Sequence, residues 1–283
     1  MKHIVITPVY NEEFFLNTYI HSIINQSLRP NELILVDDNS SDNSSLIIQE
    51  FAEHYPWISY IFHQSMNHKA QGGKVINAFN YGLEQTDLND VDFISKIDAD
   101  LELPPNYFMK IGQAFKEDSK VGICGGIIQE LQENQWINIR AASYHIRGAL
   151  KSYRRECFEQ IGGLIPVLGW DGLDEMKAMH KKWTTKTIDS SVKHFRPASK
   201  DYDPVKLNYE RGAANFLNGG NLFLAIIRSI VKCKKKPFIK VAFSFANGYL
   251  ALYLKKDERN VDPALAKFIN QFHFKRLLKL RRY

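Results

Sequence analysis

Residues Ile94-Ser95-Lys96-Ile97-Asp98-Ala99-Asp100 join an apolar run to two carboxylates with one small residue between them. Such a run reads as a buried strand, and extended backbone sends successive side chains to opposite faces. Asp98 and Asp100 can therefore point the same way at the strand's carboxyl end. Paired carboxylates suit a hard divalent cation such as Mg²⁺ or Mn²⁺, which takes one or two of them and fills its shell with phosphate oxygens. A solvated acidic loop is the competing reading, and these seven residues alone leave both open.

Other strand-like runs end in polar clusters too. His3–Val9 is apolar and β-branched and closes on Pro8-Val9-Tyr10-Asn11, after which Phe15, Tyr19, Ile20, Ile23 and Ile24 recur at helical spacing. Glu32–Asp37 is stopped by Asp38-Asn39-Ser40-Ser41-Asp42, residues that favour turns and helix caps. Trp57–Phe62, Val91–Asp98 and Val121–Ile128 read as further strands, and Gly72-Gly73 opens a helix with Val75, Phe79 and Leu83 on one face. This alternation predicts an α/β fold with a mostly parallel, doubly wound sheet. Such sheets bind ligands at the carboxyl ends of their strands, so Thr7–Glu12, Asp37–Asp42 and Asp98–Asp100 should gather along one edge. Two nucleotide motifs fail on spacing. No GxGxxG is present, and Gly73-Lys74 lacks the P-loop's first glycine (His68) and its Ser or Thr (Val75).

The 283 residues suffice for one large α/β domain with an appended subdomain. Cys124, Cys157 and Cys233 are scattered, which argues against a disulfide framework or a zinc site and fits a reducing compartment. The N-terminal apolar run is too short for a signal peptide, so a cytoplasmic location is expected. A net charge of +6 hides an asymmetry: from Arg228 onward 15 Lys and Arg face 3 acids, leaving −6 on the rest. A basic tail on an acidic body points to an anionic partner.

Thr7-Pro8-Val9-Tyr10-Asn11-Glu12, Val36-Asp37-Asp38-Asn39-Ser40-Ser41-Asp42, Gly72-Gly73-Lys74 through Asn77, and Asp98-Ala99-Asp100 together resemble family 2 glycosyltransferases of the GT-A fold. The likeness runs over about residues 1–200. It implies an inverting enzyme that moves a sugar from a nucleoside diphosphate sugar to an acceptor. By that resemblance Thr7, Pro8, Tyr10 and Glu12 line the nucleotide pocket, and Asp38 or its neighbour Asp37 accepts a hydrogen bond from the base. Asp98 and Asp100 match the metal-binding DxD motif, with Asp98 at the nucleotide as well. Lys74, near a helix start, could set a positive charge beside the phosphates, or be a solvated surface lysine. The resemblance makes residues 1–205 the catalytic domain, about 1–130 for the nucleotide and 131–205 for the acceptor, with 206–283 a helical basic extension.

Inversion needs a base on the acceptor side. The family often carries Glu-Asp about a dozen residues before a Gly-Trp or Gly-Tyr pair, and counting back twelve from Trp183 reaches Asp171. Trp170 replaces the usual acid and Lys182 the glycine, so Asp174 remains a rival one turn along, and either carboxylate could simply favour a helix start. In related enzymes a histidine after the next strand completes the metal site or meets the diphosphate. His194 stands there, with a structural role as its alternative. Arg140, Arg147, Arg154 and Arg155 flank an acceptor-side segment, where one of them could meet a phosphate.

Beyond residue 220 the apolar runs are broken by charge and none reaches the 18 residues of a spanning helix. Aromatic and aliphatic residues mixed with Lys232, Lys234, Lys235 and Lys236 suit a helix lying in an anionic membrane interface. A helical subdomain that packs its apolar faces away is the alternative. No recognition motif for nucleic acid accompanies the charge. The expectation is a Mg²⁺- or Mn²⁺-dependent glycosyltransferase of surface polysaccharide synthesis, working on a glycan or lipid-linked acceptor as a peripheral protein of the inner membrane face. A sugar nucleotidyltransferase and a non-catalytic nucleotide-sugar-binding protein are its rivals.

Overall fold

The computed structural model describes residues 1–65, 73–196, 203–232 and 238–278. In chain order the elements are β1 (His3–Val9), α1 (Leu16–Ile24), β2 (Glu32–Asp37), α2 (Ser44–His54), β3 (Ile58–Phe62) and α3 (Gly73–Glu84). Then come β4 (Phe93–Ile97), β5 (Leu101–Glu102), α4 (Tyr107–Glu117), β6 (Val121–Gln132), β7 (Gln135–Asn138), β8 (Leu150–Arg154) and α5 (Arg155–Gln160). The last are α6 (Trp170–His180), β9 (Thr184–His194), α7 (Pro204–Leu217), α8 (Leu222–Lys232), α9 (Phe238–Lys255) and α10 (Pro263–Leu277). They form two compact units, Met1–Pro166 with Lys181–Pro197, and Val167–His180 with Ala198–Tyr283.

The first unit is built on one sheet of order β3-β2-β1-β4-β8-β6-β9-β5, with β7 paired to β6. Its strands β3, β2, β1 and β4 are parallel. Leu33 to Val36 of β2 are all buried, as a strand covered on both faces requires. The alternation of strand and helix made this α/β core legible. The sheet is mixed, however, because β8 enters antiparallel between β4 and β6. Its composition hides it: Lys151 and Ser152 are buried polar residues, and Ser152 meets Ser95 across the ladder at 2.7 Å.

Close packing fixes where the strand-end loops sit. A Cβ on Gly82 of α3 would lie 2.6 Å from Val36 Cγ2, so this helix needs glycine to lie against β1 and β2. The core also holds His3, fully buried and stacked on Phe93 at 4.4 Å. Burial pushes its pKa down to about 3, which keeps the ring neutral inside the sheet.

The second unit is helical. Helices α7 and α9 cross with their backbones in contact: a Cβ on Gly212 would sit 2.0 Å from Phe245 O, and one on Gly248 1.9 Å from Tyr209 O. Phe216, Ala225, Phe245 and Tyr249 form the core around this crossing. Helix α6, which the sequence reading puts in the acceptor half, groups with these helices and touches α10. Outward, α8 exposes Phe223, Ile226, Ile230 and Val231, and α9 exposes Ile239, Phe243 and Leu254. Among the described residues no helix is long and apolar enough to cross a membrane. Lys234, Lys235 and Lys236 lie outside the described residues.

Candidate active site

The loops after β1 and β2 are fastened to each other. The pairing of Val9 with Asp37 brings both chains to the same level as they leave the sheet. Asn11, at φ 54°, accepts from the Ser41 amide at 2.8 Å, and its own amide donates to Ser40 Oγ at 3.1 Å. The Glu12 amide donates to Ser44 Oγ at 2.8 Å, and the Glu13 amide to Asp42 at 3.1 Å. A left-handed Asn and this run of short polar side chains are turn and cap chemistry that satisfies backbone donors. They explain why the two motifs need these residue types.

Not every candidate points outward. Thr7 is fully buried and its hydroxyl pairs with that of Tyr19. Asp37 is also fully buried, and its carboxylate accepts from the Ser40 amide at 3.0 Å and from the Ser45 hydroxyl. Asp38 meets His63 Nδ1 at 2.9 Å, with the imidazole lying against Tyr81. Pro8 is half-buried, and Tyr10 is 57% exposed at the rim. Lys74 lies half-buried in the first turn of α3, and its partner in the motif, Gly72, is outside the described residues.

An acidic centre forms where β4 ends. The short strand β5 pairs with β9, Leu101 opposite His194, which carries His194 to Asp100. His194 Nε2 lies 3.2 Å from Asp100 Oδ2, both residues are buried, and His194 Nδ1 has no partner among the described residues. Burial works against the imidazolium. The hydrogen bond to Asp100 and the charges of Asp100, Asp98 and Glu130 overcome it, so the His194 pKa is raised. Glu12 joins them: burial first, then the charges of Asp100 and Asp98, push its carboxyl up to about 8 despite the opposing Arg196. Asp98 pairs instead with Lys96, whose ammonium also reaches Gly148 O at 3.1 Å.

These residues fit a divalent cation that arrives with phosphate. Two cis ligands on an octahedral ion with bonds of about 2.1 Å stand about 3 Å apart, close to the Asp100–His194 spacing. Burial and, after it, the charges of Asp100 and Asp98 raise Glu12, and a cation would relieve the second of these. Among the described residues no three His, Cys, Asp or Glu side chains already stand as a ligand set. Two protein ligands completed by substrate oxygens is the usual manner of Mg²⁺.

The base candidates lie on α6 in the helical unit. Asp171, half-buried in its first turn, acts electrostatically on Arg211. Asp174 is only 3% exposed, and its Oδ1 accepts from the Glu175 amide at 2.6 Å. Sequence reasoning passed over Lys96, His63, Arg196, which pairs with Glu12, and the fully buried Glu175. A lysine inside an apolar strand two residues before Asp98 was a usable signal. His63 and Arg196 were set by long-range contacts.

Comparison with known proteins bears on the family and the fold. Residues 4–169 match the model of glycosyl transferase family 2. An undecaprenyl-phosphate 4-deoxy-4-formamido-L-arabinose transferase of Proteus mirabilis is 26% identical over 220 residues, covering 72% of this chain and 62% of that protein. The minor teichoic acid biosynthesis protein GgaB of Bacillus subtilis is 38% identical over 96 residues, 33% of this chain and 10% of its own length. The chain thus spans less than two thirds of either relative. Among solved structures, GalNAc-T7 with UDP, GalNAc and Mn²⁺ superposes with a TM-score of 0.63 at 13% identity, covering 90% of this chain and 56% of that one. The mannosyltransferase PcManGT of Pyrobaculum calidifontis, in complex with GDP-Man and Mn²⁺, gives 0.57 at 18% identity, covering 99% and 81%. These likenesses carry the fold. The family match covers more than half of the chain and takes in both stitched loops and the Asp98–Asp100 turn, so the chain belongs to glycosyl transferase family 2.

Proposed function

We propose that this protein is a metal-dependent, inverting glycosyltransferase that moves a sugar from a nucleoside diphosphate sugar to a lipid-linked or other surface-glycan acceptor. The observation that carries this reading is the Asp100–His194 pair at 3.2 Å, set beside Glu12 at the carboxyl ends of parallel strands. Asp100 and His194 would hold Mg²⁺ or Mn²⁺, which when bound neutralises charge developing on the leaving diphosphate. Asp38, held by His63, is the residue for the base, because Asp37 is consumed by its own turn. Glu12, braced by Arg196, and the exposed Tyr10 line the nucleotide's approach. Lys96 neutralises Asp98 and fixes the turn that presents Asp100. Asp171 takes the proton from the acceptor hydroxyl, an assignment resting on motif spacing and on its partial exposure. The names of the Proteus and Bacillus relatives support a lipid-linked or wall-polymer acceptor.

A screen of uridine, guanosine and thymidine diphosphate sugars tests this reading. One of them should be hydrolysed with Mn²⁺ present and spared in excess chelator. Hydrolysis that is indifferent to chelator would remove the metal from the scheme.

The protein works peripherally at an anionic membrane, at the inner face. The exposed apolar faces of α8 and α9, with the exposed Lys240 beside Ile239, support this. Phe245 is no part of such a face, since it fills the helical core beside Phe216 and Tyr249. The protein should co-sediment with vesicles rich in anionic lipid at low salt and lose the electrostatic share at 1 M salt, where screening acts within about 3 Å. Replacing Ile239 and Phe243 by Ser should remove the salt-resistant remainder. Equal binding to neutral and anionic vesicles would sink the electrostatic part.

A further inference from the structure

An open cavity of about 1100 Å³ lies in the sheet unit, away from the Asp100–His194 pair yet joined to it through the sheet. Its walls are the middle of β6, the hairpin strand β7, the loop that follows and the start of β9. Arg140, Arg147, Lys186 and His145 line it, and among the described residues no Asp or Glu does. Two of these cations have a carboxylate neighbour outside the wall: Glu130 is 3.9 Å from Arg147, and the exposed Glu117 is 3.3 Å from Lys186. Such a wall carries a positive potential focused by its concave shape.

The same cavity has an apolar side, with Trp136 and Ile137 in its lining. Trp136 also packs edge-on to Phe195 at 5.7 Å, and Phe195 follows His194 in the chain. Register makes the second link: Gln129 in the wall is opposite Lys193, and the next residue, Glu130, is opposite His194. A molecule lying along β6 thus spans from the basic wall to the edge where the sugar would be delivered.

We infer that this cavity is the acceptor site and that it selects an acceptor carrying a phosphate near the hydroxyl that is glycosylated. Guanidinium groups recognise phosphate through paired, charge-assisted hydrogen bonds, and Arg140 and Arg147 supply two of them. Lys186 adds a point charge, while Trp136 offers a flat face for a sugar ring or an isoprenoid chain. An uncharged glycan would bring no anion to this basic wall. This inference rests on the transferase reading and deepens it.

The test uses the full chain and two probes: glycerol 3-phosphate, a water-soluble polyol phosphate, and farnesyl phosphate, a short isoprenoid phosphate. Glycerol and farnesol serve as uncharged controls. Binding is followed by Trp fluorescence and calorimetry. At least one phosphate probe should bind about tenfold or more above its uncharged control, and the tighter one tells whether the source is a polyol phosphate or a lipid. Arg140→Gln with Lys186→Gln should weaken that probe by about tenfold or more, as loss of charge-assisted contacts predicts, with melting temperature near wild type. Equal binding of charged and uncharged probes, or variants that bind as wild type does, would overturn the inference. Binding of UDP and GDP to the wild type is measured in parallel. Phosphate binding without any nucleotide binding would defeat the transferase reading, and the acceptor role with it, while leaving an anion-binding cavity.

Discussion

Asp100→Asn should lower turnover by about 100-fold or more with the fold intact. Lewis-acid stabilisation of a leaving phosphate is worth several kcal/mol, and about 1.4 kcal/mol corresponds to each factor of ten. The structure makes the choice of residue specific. Asp100 is buried against His194 at 3.2 Å, whereas Asp98 already pairs with Lys96. Loss of the Asp100 charge therefore removes an anionic ligand and at the same time frees His194 from the carboxylate that orients it. Mn²⁺ titration with UDP or GDP present should show affinity falling with activity, while circular dichroism and melting temperature stay near wild type. His194→Ala should share the defect in Mn²⁺ affinity. Asp98→Asn should act differently: it removes the carboxylate that pairs with the buried Lys96, and should lower stability more than metal affinity. Equal metal affinity in wild type and Asp100→Asn would assign Asp100 a structural role.

The second large effect is expected at Asp171. A positioned general base contributes about 10²–10⁴-fold, so Asp171→Asn should lose that factor in transfer while donor affinity stays within about twofold. Asp174 is the internal control. It is 3% exposed and occupied by the amide of Glu175, so Asp174→Asn should lower melting temperature while sparing the chemical step. A pH profile separates the two roles, because removal of a base abolishes the acidic limb of transfer and a packing defect shifts only the amplitude. Should Asp174→Asn lose transfer and Asp171→Asn retain it, the base lies one helical turn further along.

The order of elements, the parallel half of the sheet and the polar clusters at its edge were set by local sequence. Apolar runs of β-branched residues must be buried, and Asn, Ser and Asp at their ends satisfy backbone donors within a few residues. Asp100 and Glu12 were legible for that reason, since each follows a strand directly. What each carboxylate does was decided by contacts far apart in the chain. Asp37 and Asp38 are neighbours of identical type, yet one is spent on its own turn and the other is held by His63. Asp98 and Asp100 share a motif, yet Lys96 claims the first and His194, 94 residues further on, the second. Nor could local reading place β8, whose buried lysine and serine look like a loop until β4 and β6 supply their partners. Phe243 and Phe245 lie two apart on one helix, and only the Gly212–Gly248 crossing determines that Phe245 is core and Phe243 surface. Side-chain chemistry and strand endings are local properties, while the partner of a charge and the face of a helix are set by three-dimensional packing.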